Sequence, residues 1–69
     1  MNRHNVMAAR LRKARMANGL SQQDLAAIVP CSVHTIRNYE SSGRISISMA
    51  VAMARVLHVK PAWLLDLEE

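Results

Sequence analysis

The stretch SQQDLAAIVPCSVHTIRNYE, Ser21 to Glu40, limits what this chain can fold into more than any other. Ser21 and Ser32 stand at N-cap positions, each ahead of a short run with apolar residues at helical spacing, and Pro30 lies between the two runs. Two short helices joined by a turn of about three residues can bury their apolar sides together only where they cross closely. A close crossing requires a small residue on the first helix, Ala26, facing a branched apolar residue on the second, Ile36. Leu25, Ile28, Val29, Cys31 and Tyr39 complete the expected buried set. Two other readings of the stretch compete. Ile28-Val29 ahead of Pro30 could be a strand entering a turn, and Cys31 with His34 could be half of a metal site or a thiolate–imidazole pair.

The remainder of the chain favours helices. Asn5 to Ala17 places Met7, Leu11 and Ala14 at helical spacing, and Asn18-Gly19 supplies a left-handed stop. The second helix runs from Gln22 to about Val29, with Asp24 completing an approximate capping box on Ser21. The third runs from Val33 to Glu40, and Ser41-Ser42-Gly43 reads as a loop. Ile45-Ser46-Ile47-Ser48 alternates like a strand, but it is short and has no partner run, so a serine cap for a fourth helix is the better reading. That helix, ending MAVAMARVLH, is apolar on nearly every side, which suits either the centre of a core or a partner surface. Lys60-Pro61 opens a last short helix that carries Trp63, Leu64 and Leu65. The expectation is an all-α domain of five short helices spanning residues 1–69, with its helix-turn-helix at about residues 21–40.

Composition removes several function classes. With 69 residues, 51% of them apolar but no Phe, the core must be built from Leu, Ile, Val, Met and Ala. The single Cys permits no internal disulfide, no leader-like segment precedes the first charges, and no apolar run reaches membrane-spanning length. A cytoplasmic protein of a bacterial cell or phage-infected host, without membrane contact, is expected. No glycine-rich phosphate loop or paired carboxylates occur, and a structural zinc site needs about four ligands where Cys31 and His34 offer two. Cys31 is better explained as a small hydrophobe, so neither an enzyme nor a bound metal or cofactor is expected.

Charge is uneven. Residues 1–44 carry Arg3, Arg10, Arg12, Lys13, Arg15, Arg37 and Arg44 against Asp24 and Glu40, a net of +5. Residues 45–69 carry Arg55 and Lys60 against Asp66, Glu68 and Glu69, a net of −1. A basic front end suits nucleic acid or an acidic lipid surface, or simply solubilises the fold, and charge alone does not separate these. The face left open on the third helix is more specific. Val33, His34, Arg37 and Asn38 are suited to base-pair edges in a major groove: Arg to guanine, Asn to adenine, His to guanine acceptors and Val to the thymine methyl.

From Arg15 through GLSQQDLA, SVHTIRNYE, RVLHV and PAWLL, the chain resembles the helix-turn-helix domains of the Cro and phage-repressor type, the lambda-repressor-like fold. The resemblance implies sequence-specific binding of double-stranded DNA, usually by a homodimer on a near-palindromic operator. It puts Val33, His34, Arg37 and Asn38 at base-reading or adjacent backbone positions, and Gln22 on a phosphate. Ser32 and Arg44 join the backbone set, with Thr35 either on a phosphate or covering the helix pair. Arg15 and Glu40 fall where similar domains have a partly buried ion pair. The last helix would bring Trp63 and Leu64 near a partner, unless they close the core; Met49 and Met53 are further candidates for that surface. Three departures stand out: Pro30 where the family has Gly, a glycine one place late at Gly43, and His58 where Gly ends the fourth helix. Pro30 should force Val29 extended and end helix two early. The leading expectation is a DNA-binding transcriptional repressor. The alternative is an antitoxin or protein-interaction module that keeps the fold and binds a toxin or another regulator.

Overall fold

A computed structural model describes residues 2–68. Its elements are α1 (Arg3–Ala17), α2 (Gln22–Ile28), α3 (Val33–Ser42), α4 (Ile47–Leu57) and α5 (Pro61–Leu64), and no strand occurs among the described residues. Ile45–Ser48 therefore leads into a helix, and the strand reading of Ile28-Val29 fails as well. Glu69, counted in the acidic tail, lies outside the described residues.

Side-chain caps start four of the five helices. Asn2 accepts from the Asn5 amide and begins α1 two residues ahead of the expected start. At α2 the Ser21 hydroxyl accepts from the Asp24 amide while the Asp24 carboxylate accepts from the Ser21 amide, both at 2.9 Å, so Asp closes the box that Glu or Gln usually closes. The Ser21 amide, followed by its hydroxyl, holds the Asp24 carboxyl below its ordinary value. Ser32 and Ser46 cap α3 and α4, and Pro61 opens α5 at a position that needs no amide donor.

The helix ends follow from local chemistry. Val29 is extended at ψ 94°, so α2 stops at Ile28 under the restriction that Pro30 imposes. His58 takes the left-handed conformation, φ 59°, and terminates α4 where Gly would be ordinary. Ser41 and Ser42 continue α3 for two residues past Glu40 and are not a loop; the left-handed stop comes at Gly43, φ 71°. Their hydroxyls donate to the Asn38 carbonyl, which keeps the last turn closed.

The core joins all five helices around the fully buried Leu11, Leu25, Ile36, Met53, Leu57 and Leu64. Ala26 and Ile36, the expected crossing pair, are both buried in it. Three expectations are corrected. Met53 and Leu64 have no exposed surface, so neither can touch a partner without opening the core. Ile28 is 50% exposed, because Ala26 and Val29 lie to one side of Leu25 on α2 and Ile28 to the other. Met49 and Trp63 are half-buried.

Arg10 ties the chain end to α1. Its guanidinium donates to the carbonyls of Trp63 and Glu68, stands 3.6 Å from Asp66 and lies 5.0 Å above the Trp63 ring. Asn18 similarly donates to the Leu57 carbonyl at 3.0 Å, joining the ends of α1 and α4.

Gly43 sits against the backbone of His4, and a methyl group added there would overlap the His4 carbonyl. Gly19 shares the left-handed conformation but faces open space. Gly19→Ala should therefore cost about 1 kcal/mol, from backbone strain alone. Gly43→Ala should cost roughly 1–3 kcal/mol more, because α1 and the α3–α4 connection must move apart. Urea titration of the two variants against the unaltered protein checks the difference, and equal costs would contradict the packing described.

Candidate nucleic-acid interface

Glu40 is a charged residue on the inner side of α3, only 4% exposed. Its carboxylate accepts from Arg15 Nε at 2.6 Å on one oxygen and from Arg15 Nη2 at 3.1 Å on the other. This is a two-pronged pairing that matches the guanidinium fork to the carboxylate. The third prong of Arg15, Nη1, donates to the Leu20 carbonyl at 2.7 Å in the α1–α2 connection. One guanidinium thus fastens α1, the chain entering α2, and α3.

Gln22, the first residue of α2, extends the network outward. Its amide Nε2 donates to Glu40 at 3.2 Å, and its Oε1 accepts from Arg37 Nε at 3.3 Å. Only this orientation of the amide puts a donor on the carboxylate and an acceptor on the guanidinium. Arg12 completes the group from α1, with Nη2 on the Glu40 carbonyl at 3.4 Å and Nε 3.9 Å from the carboxylate. Every fully buried side-chain nitrogen or oxygen among the described residues has a partner.

The outer face of α3 lies alongside. His34 and Asn38 are exposed one turn apart, and Arg37 is exposed beside them with its guanidinium leaning towards α2. Val33 is only half-open, because part of it packs on the core. Ser32 and Thr35 engage each other at the start of α3: their hydroxyls are 3.1 Å apart and the Thr35 amide donates to Ser32 at 3.2 Å. Arg44 is exposed in the α3–α4 connection. The structure thus gathers Gln22, Arg37, Arg15 and Glu40 into one network, while Val33, His34 and Asn38 stay on the open face. Met49 and Trp63 belong to neither group.

Sequence reasoning missed Arg12. The available signal was its place one turn before Arg15, on the side of α1 that turns towards α3. Reading Arg12 merely as one of several basic residues hid that placement.

A model of the family described as Helix-turn-helix matches residues 11–64, from the middle of α1 to the end of α5. The chain belongs to this family, in its Cro and phage-repressor type. No curated protein and no solved structure matches the chain. The family is one of DNA-binding regulators and not of enzymes. In this helix-turn-helix domain Cys31 is a half-buried free thiol, and no three of His, Cys, Asp and Glu come together as a metal site among the described residues. No described helix is long and apolar enough to cross a membrane.

Removing one side of the buried pair should be costly. Glu40→Gln leaves Arg15 without its counter-charge and should lower stability by about 3–5 kcal/mol in denaturant unfolding. Replacing Arg15 and Glu40 together by apolar residues of similar size should recover most of that loss. A double variant as unstable as the single one would contradict this.

Proposed function

We propose that this protein is a transcriptional repressor that reads a near-palindromic operator as a homodimer, with α3 in the major groove. The observation that carries the reading is the exposed pair His34 and Asn38 on α3, in a family of DNA-binding regulators. An α-helix fits a major groove, where the Asn side chain matches adenine and the His side chain matches guanine acceptors. The open part of Val33 suits a thymine methyl beside them. Arg44, Gln22 and the Ser32–Thr35 pair supply contacts to the flanking phosphates, which fix register without carrying sequence information. The half-buried Met49 and Trp63 are the remaining candidates for the surface between two copies. The surplus of positive charge in residues 1–44 supports a polyanionic ligand.

A second reading, a protein-interaction module such as an antitoxin, draws on the exposure of Ile47 at the start of α4, 72% open in a largely apolar helix whose one charge is Arg55. Selection from random duplex DNA at near-physiological salt separates the two. A symmetric motif is the expected outcome, and recovery of no motif would favour the interaction module. On the selected duplex, Asn38→Ala should reduce discrimination at about one base pair per half-site by roughly 1–3 kcal/mol, measured by competition with single-base variants. A uniform loss on every variant would remove Asn38 from the base-reading set.

A further inference from the structure

Arg12, Arg15, Gln22, Arg37, Glu40 and Ser41 line an open hollow of about 250 Å³ between α1, the start of α2 and the second half of α3. Its charge is not balanced. Three guanidiniums face one carboxylate, and that carboxylate is already held at 2.6 and 3.1 Å by Arg15 and at 3.2 Å by Gln22. Arg12 reaches it only at 3.9 Å, with its own side chain 58% exposed, so solvent screens most of that attraction. Arg37 meets no carboxylate among the described residues; its Nε rests on an uncharged amide. Two guanidiniums lining the hollow, one from α1 and one from α3, are therefore left with donors to spare.

The geometry points to Arg12 and Arg37 as a two-armed clamp on one backbone phosphate of the bound DNA, with Gln22 setting the angle of Arg37. This rests on the reading of α3 as the groove-bound helix. A major groove about 12 Å wide is walled by phosphate ridges, so side chains at the middle of the inserted face meet bases and those leaning sideways meet the ridge. His34 and Asn38 belong to the middle. Arg37 leans sideways, drawn towards α2 by Gln22 and facing the same hollow as Arg12. A phosphate there would accept from both forks in the manner guanidinium groups favour. The assignment moves Arg37 from base reading to the backbone, and gives Arg12 a role beyond its place in the Glu40 network.

Affinity should be measured across a salt series on the duplex recovered by selection and on a scrambled duplex of the same length. Arg12→Gln and Arg37→Gln should each flatten the dependence of log K on log salt by about 0.9, the value of one lost phosphate contact. Each should weaken both duplexes by the same factor and leave their ratio unchanged. Arg12→Lys and Arg37→Lys should restore the slope, which separates loss of charge from loss of fold, and thermal unfolding of all four variants checks the fold directly. An unchanged slope in Arg12→Gln overturns the clamp. So does a loss in Arg37→Gln confined to the selected duplex, which would return Arg37 to a base edge while the repressor reading stands. If the unaltered protein binds neither duplex in a salt-dependent way, the repressor reading itself fails, and the clamp with it.

Discussion

The buried carboxylate of Glu40 is the constraint around which this small fold is arranged. A charge taken out of water is tolerated only with a close counter-charge and satisfied hydrogen bonds, and Arg15 and Gln22 supply both. Apolar residues of the same volume in place of such a pair are often close to neutral in stability. The pair is better understood through the positions it fixes. Apolar contacts between short helices tolerate sliding and rotation, whereas a two-pronged ion pair fits in one geometry. Because Arg15 also holds the Leu20 carbonyl, that geometry sets α3 relative to both α1 and the start of α2.

Two sets of contacts, at Glu40 and at the chain end, divide the arginines into two groups. Arg15 is consumed by Glu40, and Arg10, at the middle of α1, is consumed by the carbonyls of Trp63 and Glu68 and the Trp63 ring. Neither has a charge free for a ligand, although both contribute to the +5 of residues 1–44. Arg12, Arg37 and Arg44 keep most of their exposure. A count of basic residues therefore overstates the charge presented outward, and these contacts decide which arginines remain available.

What could be read from the sequence was mostly local. The caps at Ser21, Ser32 and Ser46 depend on residues within one turn, and each forms. The early end of α2 at Pro30 is equally local. Errors arose where a distant contact decided the outcome. Ser41 and Ser42 look like loop residues, yet their hydroxyls fold back on Asn38, and the stop is set at Gly43, where only a glycine fits against His4. Met53 and Leu64 carry no sign of which apolar residues of α4 and α5 turn inward. Within the site, the open face of α3 could be read from periodicity. The lean of Arg37 towards Gln22, fifteen positions earlier in the chain, could not.

Pro30 shows how the turn between α2 and α3 works without a glycine. A left-handed residue at that point would serve to end the first helix and cap its last carbonyls. Here no residue from Val29 to Ser32 has a positive φ. The carbonyls are met instead by the Val29 amide on Leu25 at 2.9 Å and the Cys31 amide on Ala26 at 3.1 Å, on either side of the proline. Pro30 lies between these two donors, so its missing amide hydrogen breaks neither bond. Its fixed φ also narrows the unfolded chain at the joint that positions α3. The departure from glycine exchanges a flexible stop for a rigid one, and the ion pair at Glu40 then anchors the far end of the helix whose near end the proline sets.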